Sequence, residues 1–225
     1  MTIQAQDQGR SMVVAIDGPA ARGKGTLSRR IAEHYGFAHL DTGALYRAVG
    51  LAVVRAGGDP ADAIAATEAA RKLTPGDDIL SDPALRHDTA AQAASKVAVV
   101  PEVREALLDF QRRFASNPPG NARGAVLDGR DIGTVVCPKA DVKFFVTASV
   151  EVRAARRLKE LQERGIPAIP GDVLEDMKAR DERDSQRAVA PLRPADDAFV
   201  LDTSALDADQ AFDAACARIG SKPTV

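Results

Sequence analysis

Apolar residues along this chain fall into short runs separated by amphipathic stretches. Met12 to Ile16 is a five-residue apolar run, and Leu27 to Tyr35 alternates apolar and charged positions at helical spacing. The pattern predicts a strand over about 13–16 and a helix over about 24–35, which Gly36 ends. Phe37–Leu40 is a short apolar segment, and a second helix follows over about 44–56, stopped by Gly57-Gly58. Asp59-Pro-Ala-Asp opens an Ala-rich helix to about Leu73, Pro75-Gly-Asp-Asp reads as a turn, and Ser81-Asp-Pro opens a further segment reaching Val100. Val103, Leu107, Phe110 and Phe114 mark one buried helix face over about 102–114, and Asn117-Pro-Pro-Gly-Asn reads as a loop. Ala125–Asp128 and Val142–Val146 read as strands of the kind buried in parallel sheets. Ser149 caps a helix to about Arg164, and a short helix is expected over about 172–180. A last strand near 198–201 and a last helix over about 208–219 complete the chain. Strand–helix alternation of this kind implies an α/β fold, a parallel sheet with helices on both faces.

Composition narrows the class. The 225 residues are 45% hydrophobic, 28% charged and 4% aromatic, an ordinary globular profile sized for one α/β domain with an insertion. The net charge of −2 gives no basic field for nucleic acid. No apolar run approaches the ~20 residues of a membrane span. Residues 1–11 are polar, lack a signal-peptide core and read as a flexible extension, with 221–225 as a tail. Cys137 and Cys216 have neither metal-ligand nor disulfide spacing, which suits a reducing cytoplasm. His34, His39 and His87 have no partner spacing and read as surface or helix-end residues. No assembly motif stands out, so a monomer is expected.

The chemistry sits between the first strand and first helix. Gly18-Pro19-Ala20-Ala21-Arg22-Gly23-Lys24-Gly25-Thr26 has the order of a phosphate-binding loop, in which backbone N–H groups at a helix start and one lysine wrap a nucleoside triphosphate. Gly25 stands where a magnesium-binding hydroxyl is usual, and the hydroxyl follows at Thr26. Asp128 ends an apolar strand, where a carboxylate can hold Mg²⁺ through water. Arg130 and Asp131 add a cation and a second carboxylate at the same sheet edge; the structural alternative is a salt-bridged turn. Asp41-Thr42-Gly43 with Arg47 makes a second helix start suited to an anion, or an ordinary helix cap. The run from Arg180 to Arg187 has no apolar face and reads as a solvated loop on its own. Beside a phosphate loop it becomes an arginine-bearing flap that surrounds a moving phosphoryl group and excludes water. Arg153, Arg156 and Arg157 are expected to line the same side. Two phosphate sites and a flap imply two phosphorylated substrates. A small-metabolite kinase such as shikimate kinase shares this core. A nucleotide-switch protein requires a guanine-reading Asn-Lys-x-Asp segment, which the chain lacks.

Several segments resemble the bacterial cytidylate kinases, within the nucleoside monophosphate kinases. They are Ile16-Asp-Gly-Pro with Gly23-Lys-Gly-Thr26, Leu40-Asp-Thr-Gly-Ala-Leu-Tyr-Arg47, Ala94-Ser-Lys-Val-Ala98 with Val103-Arg-Glu-Ala-Leu107, Asp128-Gly-Arg-Asp-Ile-Gly-Thr-Val-Val136, and Arg180-Asp-Glu-Arg-Asp184 with Arg187-Ala-Val-Ala-Pro-Leu192. The resemblance spans residues 12–220. It implies a kinase core over 12–58 and 101–220, a monophosphate-binding insertion over about 59–100, and a mobile lid over about 157–193. It implies ATP with Mg²⁺ at Gly18–Thr26, Arg153 and Arg157, with Thr26 and Asp128 toward the metal. It implies the CMP or dCMP phosphate at Thr42, Arg47 and Arg130, cytosine at Ser95, Arg104 and Asp131, ribose at Arg180 and Asp184, and the phosphate region at Arg187. Lys24, Asp128, Arg130, Arg180 and Arg187 would carry the transfer. One departure is visible: longer members hold a small sheet in the insertion, whereas residues 74–93 here are short and carry Pro75, Gly76 and Pro83.

Overall fold

The computed structural model describes residues 11–21, 23–74 and 78–221. Residues 1–10 of the extension expected over 1–11, Arg22, most of the turn at 75–78, and residues 222–225 of the tail expected over 221–225 lie outside the described residues. Five strands form one parallel sheet in the order β2-β3-β1-β4-β5. They are β1 (Met12–Asp17), β2 (Ala38–Asp41), β3 (Gly124–Gly129), β4 (Val142–Thr147) and β5 (Phe199–Asp202). The helices are α1 (Lys24–Tyr35), α2 (Thr42–Arg55), α3 (Ala63–Lys72), α4 (Asp88–Val97), α5 (Pro101–Ser116), α6 (Val150–Glu163), α7 (Pro170–Ser185) and α8 (Ala208–Gly220).

Alternation along the strands builds two cores. Val14, Ile16, Val126, Phe144 and Leu201 pack under α1 and α8. Ala15, Ala125 and Leu127 turn the other way, toward Ala115 of α5 and a π-helical turn at Ile132–Val136. The same alternation sorts the charged strand ends. Asp128 points to the α1 side with Val126, whereas Asp17 points to the side of the π turn with Ala15.

The segment 59–100 packs beside this sheet instead of joining it. A third core of Leu45, Val49, Ala66, Ala70, Val97 and Leu107 ties α2 and α3 to α4's end and α5. Helices α2 and α4 nearly touch at Gly50, where a Cβ would sit 2.7 Å from the Cβ of Ala93. That approach brings Ser95 over the sheet edge. Among the described residues of 74–93 there are 3₁₀ turns at Asp78–Ser81 and Pro83–Arg86 and the start of α4, and no strand.

Two element bounds differ from the sequence pattern. Helix α2 starts at Thr42, because the Asp41 side chain accepts from the Ala44 N–H and caps it earlier than the apolar run suggests. Helix α7 runs from Pro170 to Ser185 and takes in most of the arginine run expected as a loop. Its apolar contact comes from Val173 and Met177, against Ala154 and Leu161 of α6. Tertiary packing at its start therefore carries a helix that its polar end would not favour.

Candidate active site

The C-terminal ends of β1, β2 and β3 open into a cleft of about 440 Å³. It is bounded by the 18–26 loop, the start of α2, Ser95 of α4, Arg104 of α5, and Arg180 and Asp184 of α7. The loop backbone is bent for this place. Gly23 has φ +75° and Ala21 has φ +58°, and the second is a left-handed conformation that costs a side-chain-bearing residue about 1–2 kcal/mol. Such strain is kept where a loop must aim its N–H groups.

Lys24 and Asp128 meet at the loop's base, with Nζ donating to Oδ1 at 2.6 Å. Nε2 of His39 lies 2.7 Å from Oδ2 of the same carboxylate. Burial opposes the charge of Asp128, but Lys24 and His39 outweigh it and hold the carboxyl well below the usual range. The Thr42 hydroxyl donates to the Asp128 carbonyl at 2.8 Å, so the start of α2 is pinned to the end of β3. Arg47 is folded back onto Asp41 at 2.7 Å.

Deeper in the cleft, the buried Arg104 donates to Asp131, and its guanidinium lies 5.5 Å from the Tyr46 ring centre. Burial works against the Arg104 charge, and Tyr46 and Asp131 outweigh it and raise its pKa. The Ser95 hydroxyl is buried beside them with no hydrogen-bond partner. On the α7 side, Arg130 donates to Asp184 at 2.9 Å. Burial would raise the Asp184 carboxyl, but Arg130, Arg187 and Arg180 together lower it. Arg180 has no ion-pair partner among the described residues, and its Nε is buried without a hydrogen bond. Burial first, then the neighbouring Arg130, push its pKa down to about 10. Nη2 of Arg187 is also buried without a hydrogen bond. Arg187 keeps Asp184 as an ion-pair partner at 3.7 Å, so Arg180 is the cation left without one; a buried guanidinium in that state is costly, and an anion is the partner that would satisfy it.

The structure thus brings Lys24, Thr42, Arg47, Ser95, Arg104, Asp128, Arg130, Asp131, Arg180, Asp184 and Arg187 to one cleft, with the loop residues Pro19, Ala20, Ala21, Gly23, Gly25 and Thr26. It separates the three arginines of α6. Arg153 is buried and donates to the Ala148 carbonyl and to Asp181. Arg156 turns to the Thr203 and Leu206 carbonyls. Arg157 reaches Asp88 and Glu160 at a neighbouring cavity. They do not line one side, because helical residues at i, i+3 and i+4 still diverge when different neighbours supply their acceptors.

Two residues just behind the cleft wall have no role in the sequence pattern. His39, expected at a surface or helix end, lies in β2 against Asp128. No signal for it exists without knowing that β2 pairs with β3. Asp17 is buried and accepts from the Ile132 and Gly133 N–H groups, both at 2.7 Å. Its signal was available: it is a carboxylate ending an apolar strand, like Asp128. Burial, partly offset by those two N–H groups, pushes its carboxyl up to about 6.

The donor set also fits a divalent cation that keeps its waters. The Thr26 side chain is exposed at the cleft, and both oxygens of Asp128 already have protein donors, leaving lone pairs for water more than for direct ligation. Among the described residues no group of three or more His, Cys, Asp or Glu forms a metal cage.

A parallel sheet, a phosphate loop with its lysine on a strand-end aspartate, and a cluster of arginines at the cleft, of which Arg180 has no ion-pair partner among the described residues, define a phosphate-loop kinase. The chain belongs to the cytidylate kinase family, whose model matches residues 14–220. It is 69% identical over 212 residues to the cytidylate kinase of Paramagnetospirillum magneticum, covering 94% of this chain and 99% of that one. It is 63% identical over 204 residues to the cytidylate kinase of Rhodospirillum rubrum, covering 91% and 95%. Among solved structures, an uncharacterized protein from Eubacterium ventriosum superposes with a TM-score of 0.51 at 16% identity, covering 94% of this chain and 99% of that one. That likeness concerns the fold alone. No helix among the described residues is long and apolar enough to cross a membrane.

Proposed function

We propose that the protein transfers the γ-phosphoryl group of ATP to CMP or dCMP, giving ADP and CDP or dCDP. The observation that carries this reading is the cleft floor, where the buried Arg104–Asp131 pair lies beside the orphaned Ser95 hydroxyl. Cytosine offers an amino donor at N4 and acceptors at N3 and O2. A carboxylate and a guanidinium side by side complement that edge. Uracil turns an acceptor and a donor to the same places and leaves the buried charges unmatched, which is how a polar site rejects a close analogue. Membership of the cytidylate kinase family supports the same substrate.

In this reading the 18–26 loop, Arg22 included, binds the ATP phosphates with Lys24, and Arg153 and Arg157 assist from α6 after exchanging Asp181 and Asp88 for phosphate. A cavity of about 220 Å³ beside Thr26, Leu27, Arg156 and Ala211 suits the adenine base. Thr42, Arg47 and Arg130 hold the CMP phosphate, Arg180 and Asp184 the ribose, and Arg187 the phosphate region. The acceptor phosphate is already an anionic nucleophile, so the protein needs no general base. It needs positive charge around the moving group, which Lys24, Arg130, Arg180 and Arg187 supply. Thr26 and, through water, Asp128 would hold Mg²⁺, which neutralises charge on the β- and γ-phosphates. Residues 157–193 act as the lid, 59–100 as the monophosphate-binding insertion, and the rest of 12–220 as the core. The protein acts as a monomer in this reading, and both cysteines are free, which suits the reducing cytoplasm. The test is a panel of monophosphates with ATP and Mg²⁺. CMP and dCMP should turn over fastest, and equal rates with AMP or shikimate would sink the assignment.

A further inference from the structure

We propose that His39 is a positioning residue: acting through Asp128, it keeps that carboxylate in place when Lys24 leaves it for a bound triphosphate. The inference rests on the phosphoryl-transfer reading of the cleft. Asp128 is buried, and each of its two oxygens has one side-chain partner, Lys24 on Oδ1 at 2.6 Å and His39 on Oδ2 at 2.7 Å. An ionised carboxylate only accepts, so Nε2 of His39 carries the shared proton. The two partners are not equivalent. Lys24 heads the phosphate loop and must turn its charge toward phosphate oxygens when ATP binds. His39 sits in β2, which pairs with β3 through His39↔Val126 and Asp41↔Asp128. Its ring therefore comes from a fixed strand on the same face of the sheet as Asp128. The neighbouring Thr42 hydroxyl holds the Asp128 carbonyl at 2.8 Å, so β2 and the start of α2 grip this residue by backbone and side chain together.

Once Lys24 turns away, His39 is the side-chain donor left on the carboxylate. A carboxylate torsion is broad by itself and needs such a partner to stay aimed. His39 would keep Oδ1 facing the phosphates, where it can take a metal-bound water. Partners of this kind typically cost 10–100-fold in metal affinity or activity when removed.

The test compares His39→Leu, which removes the donor, with His39→Gln, which returns one at similar reach. His39→Leu should lower kcat about tenfold while KM for CMP stays within about twofold, and His39→Gln should restore most of the loss. Calorimetry supplies a readout without turnover, by titrating a non-hydrolysable ATP analogue with and without Mg²⁺. The affinity gained from Mg²⁺ should shrink about tenfold in His39→Leu and return in His39→Gln. Wild-type values in His39→Leu, or a His39→Gln variant as impaired as His39→Leu, overturn the proposal. So does a parallel loss in kcat, both KM values and Tm, which would mark a merely structural role. A wild-type protein inert toward CMP would defeat the functional reading, and the calorimetric comparison would still judge His39. Should His39→Leu fail to fold, the wild-type ring decides. Its Nε2 resonance must move when the ATP analogue draws Lys24 off Asp128, and a resonance that stays put overturns the proposal.

Discussion

The sheet edge and the crossing between segment 59–100 and helices α6 and α7 hold their charges in opposite ways. At the edge, Lys24, Asp128, Arg104, Asp131 and Asp17 are all buried, and each has its partner inside the fold: Lys24 with Asp128, Arg104 with Asp131, and Asp17 with the Ile132 and Gly133 N–H groups. At the crossing, Arg157 reaches Asp88, Arg183 reaches Gln92, and Arg164 reaches the Arg86 carbonyl. The Asp88 side chain there is 54% exposed. Buried pairs are expensive to break because a lone charge is left in low dielectric. Exposed pairs contribute little and open readily. The edge therefore gives up a pair only to an equally strong charge, as when Lys24 turns to a phosphate, whereas the crossing parts and rejoins readily around substrates.

The hardest blow to the edge is Lys24→Met. It removes the loop's cation and leaves Asp128 with His39 as its one side-chain partner. Losing one donor aimed at developing charge typically costs about 10²–10³-fold in kcat. A fall of about that size in kcat is expected in steady-state assays with saturating ATP and CMP. A loss under tenfold would mean that the fixed edge is not where the transferred charge is met.

The edge also contains an internal contrast, between Asp128 and Asp17, which face opposite sides of the sheet. The carboxyl of Asp17 is raised to about 6, so the fold prefers it protonated; its contribution is full below about pH 4 and is lost as pH rises to about 6. Asp128 is lowered, so its contribution is constant above about pH 4 and is lost only below that. Urea unfolding of wild type and Asp17→Asn between pH 4.5 and 7 should therefore converge or cross. Wild type should lose on the order of 2 kcal/mol relative to the variant as pH rises. Asp128→Asn should change the level but not the slope. Parallel profiles for wild type and Asp17→Asn would remove Asp17's part in this contrast.

Much of the edge was legible in the sequence, and the crossing was not. The 18–26 loop, Asp128 and the start of α2 announce themselves because each needs particular residue types at local spacing: glycines for the turn, an acid after an apolar strand, Asp41 before a helix. His39 acquires a partner only through the β2–β3 register, 89 residues away in the chain. The fates of Arg153, Arg156 and Arg157 depend on which of Asp181, the Thr203 carbonyl or Asp88 each one meets, and no helical spacing encodes those distant acceptors. The arginine run looked like a loop because its helix is anchored elsewhere, by Val173 and Met177 at the other end of α7.

The smallest expected effect lies at the crossing, and its smallness is the point. Asp88→Ala removes one of the two carboxylates, Asp88 and Glu160, that Arg157 holds. An exposed pair of this kind is worth about 0–1 kcal/mol, so Tm should move by no more than a few degrees. The same energy set against an open–closed equilibrium shifts populations by up to about fivefold. Arg157, then held by Glu160 without Asp88, turns to phosphate more readily, and KM for ATP should fall by about two- to threefold with kcat little changed. Raising ionic strength screens exposed pairs more than buried ones. Added KCl should therefore narrow the difference between wild type and Asp88→Ala while leaving the deficit of Lys24→Met in place. A tenfold change in kcat/KM from Asp88→Ala, or one insensitive to salt, would show that the crossing is as firmly built as the sheet edge.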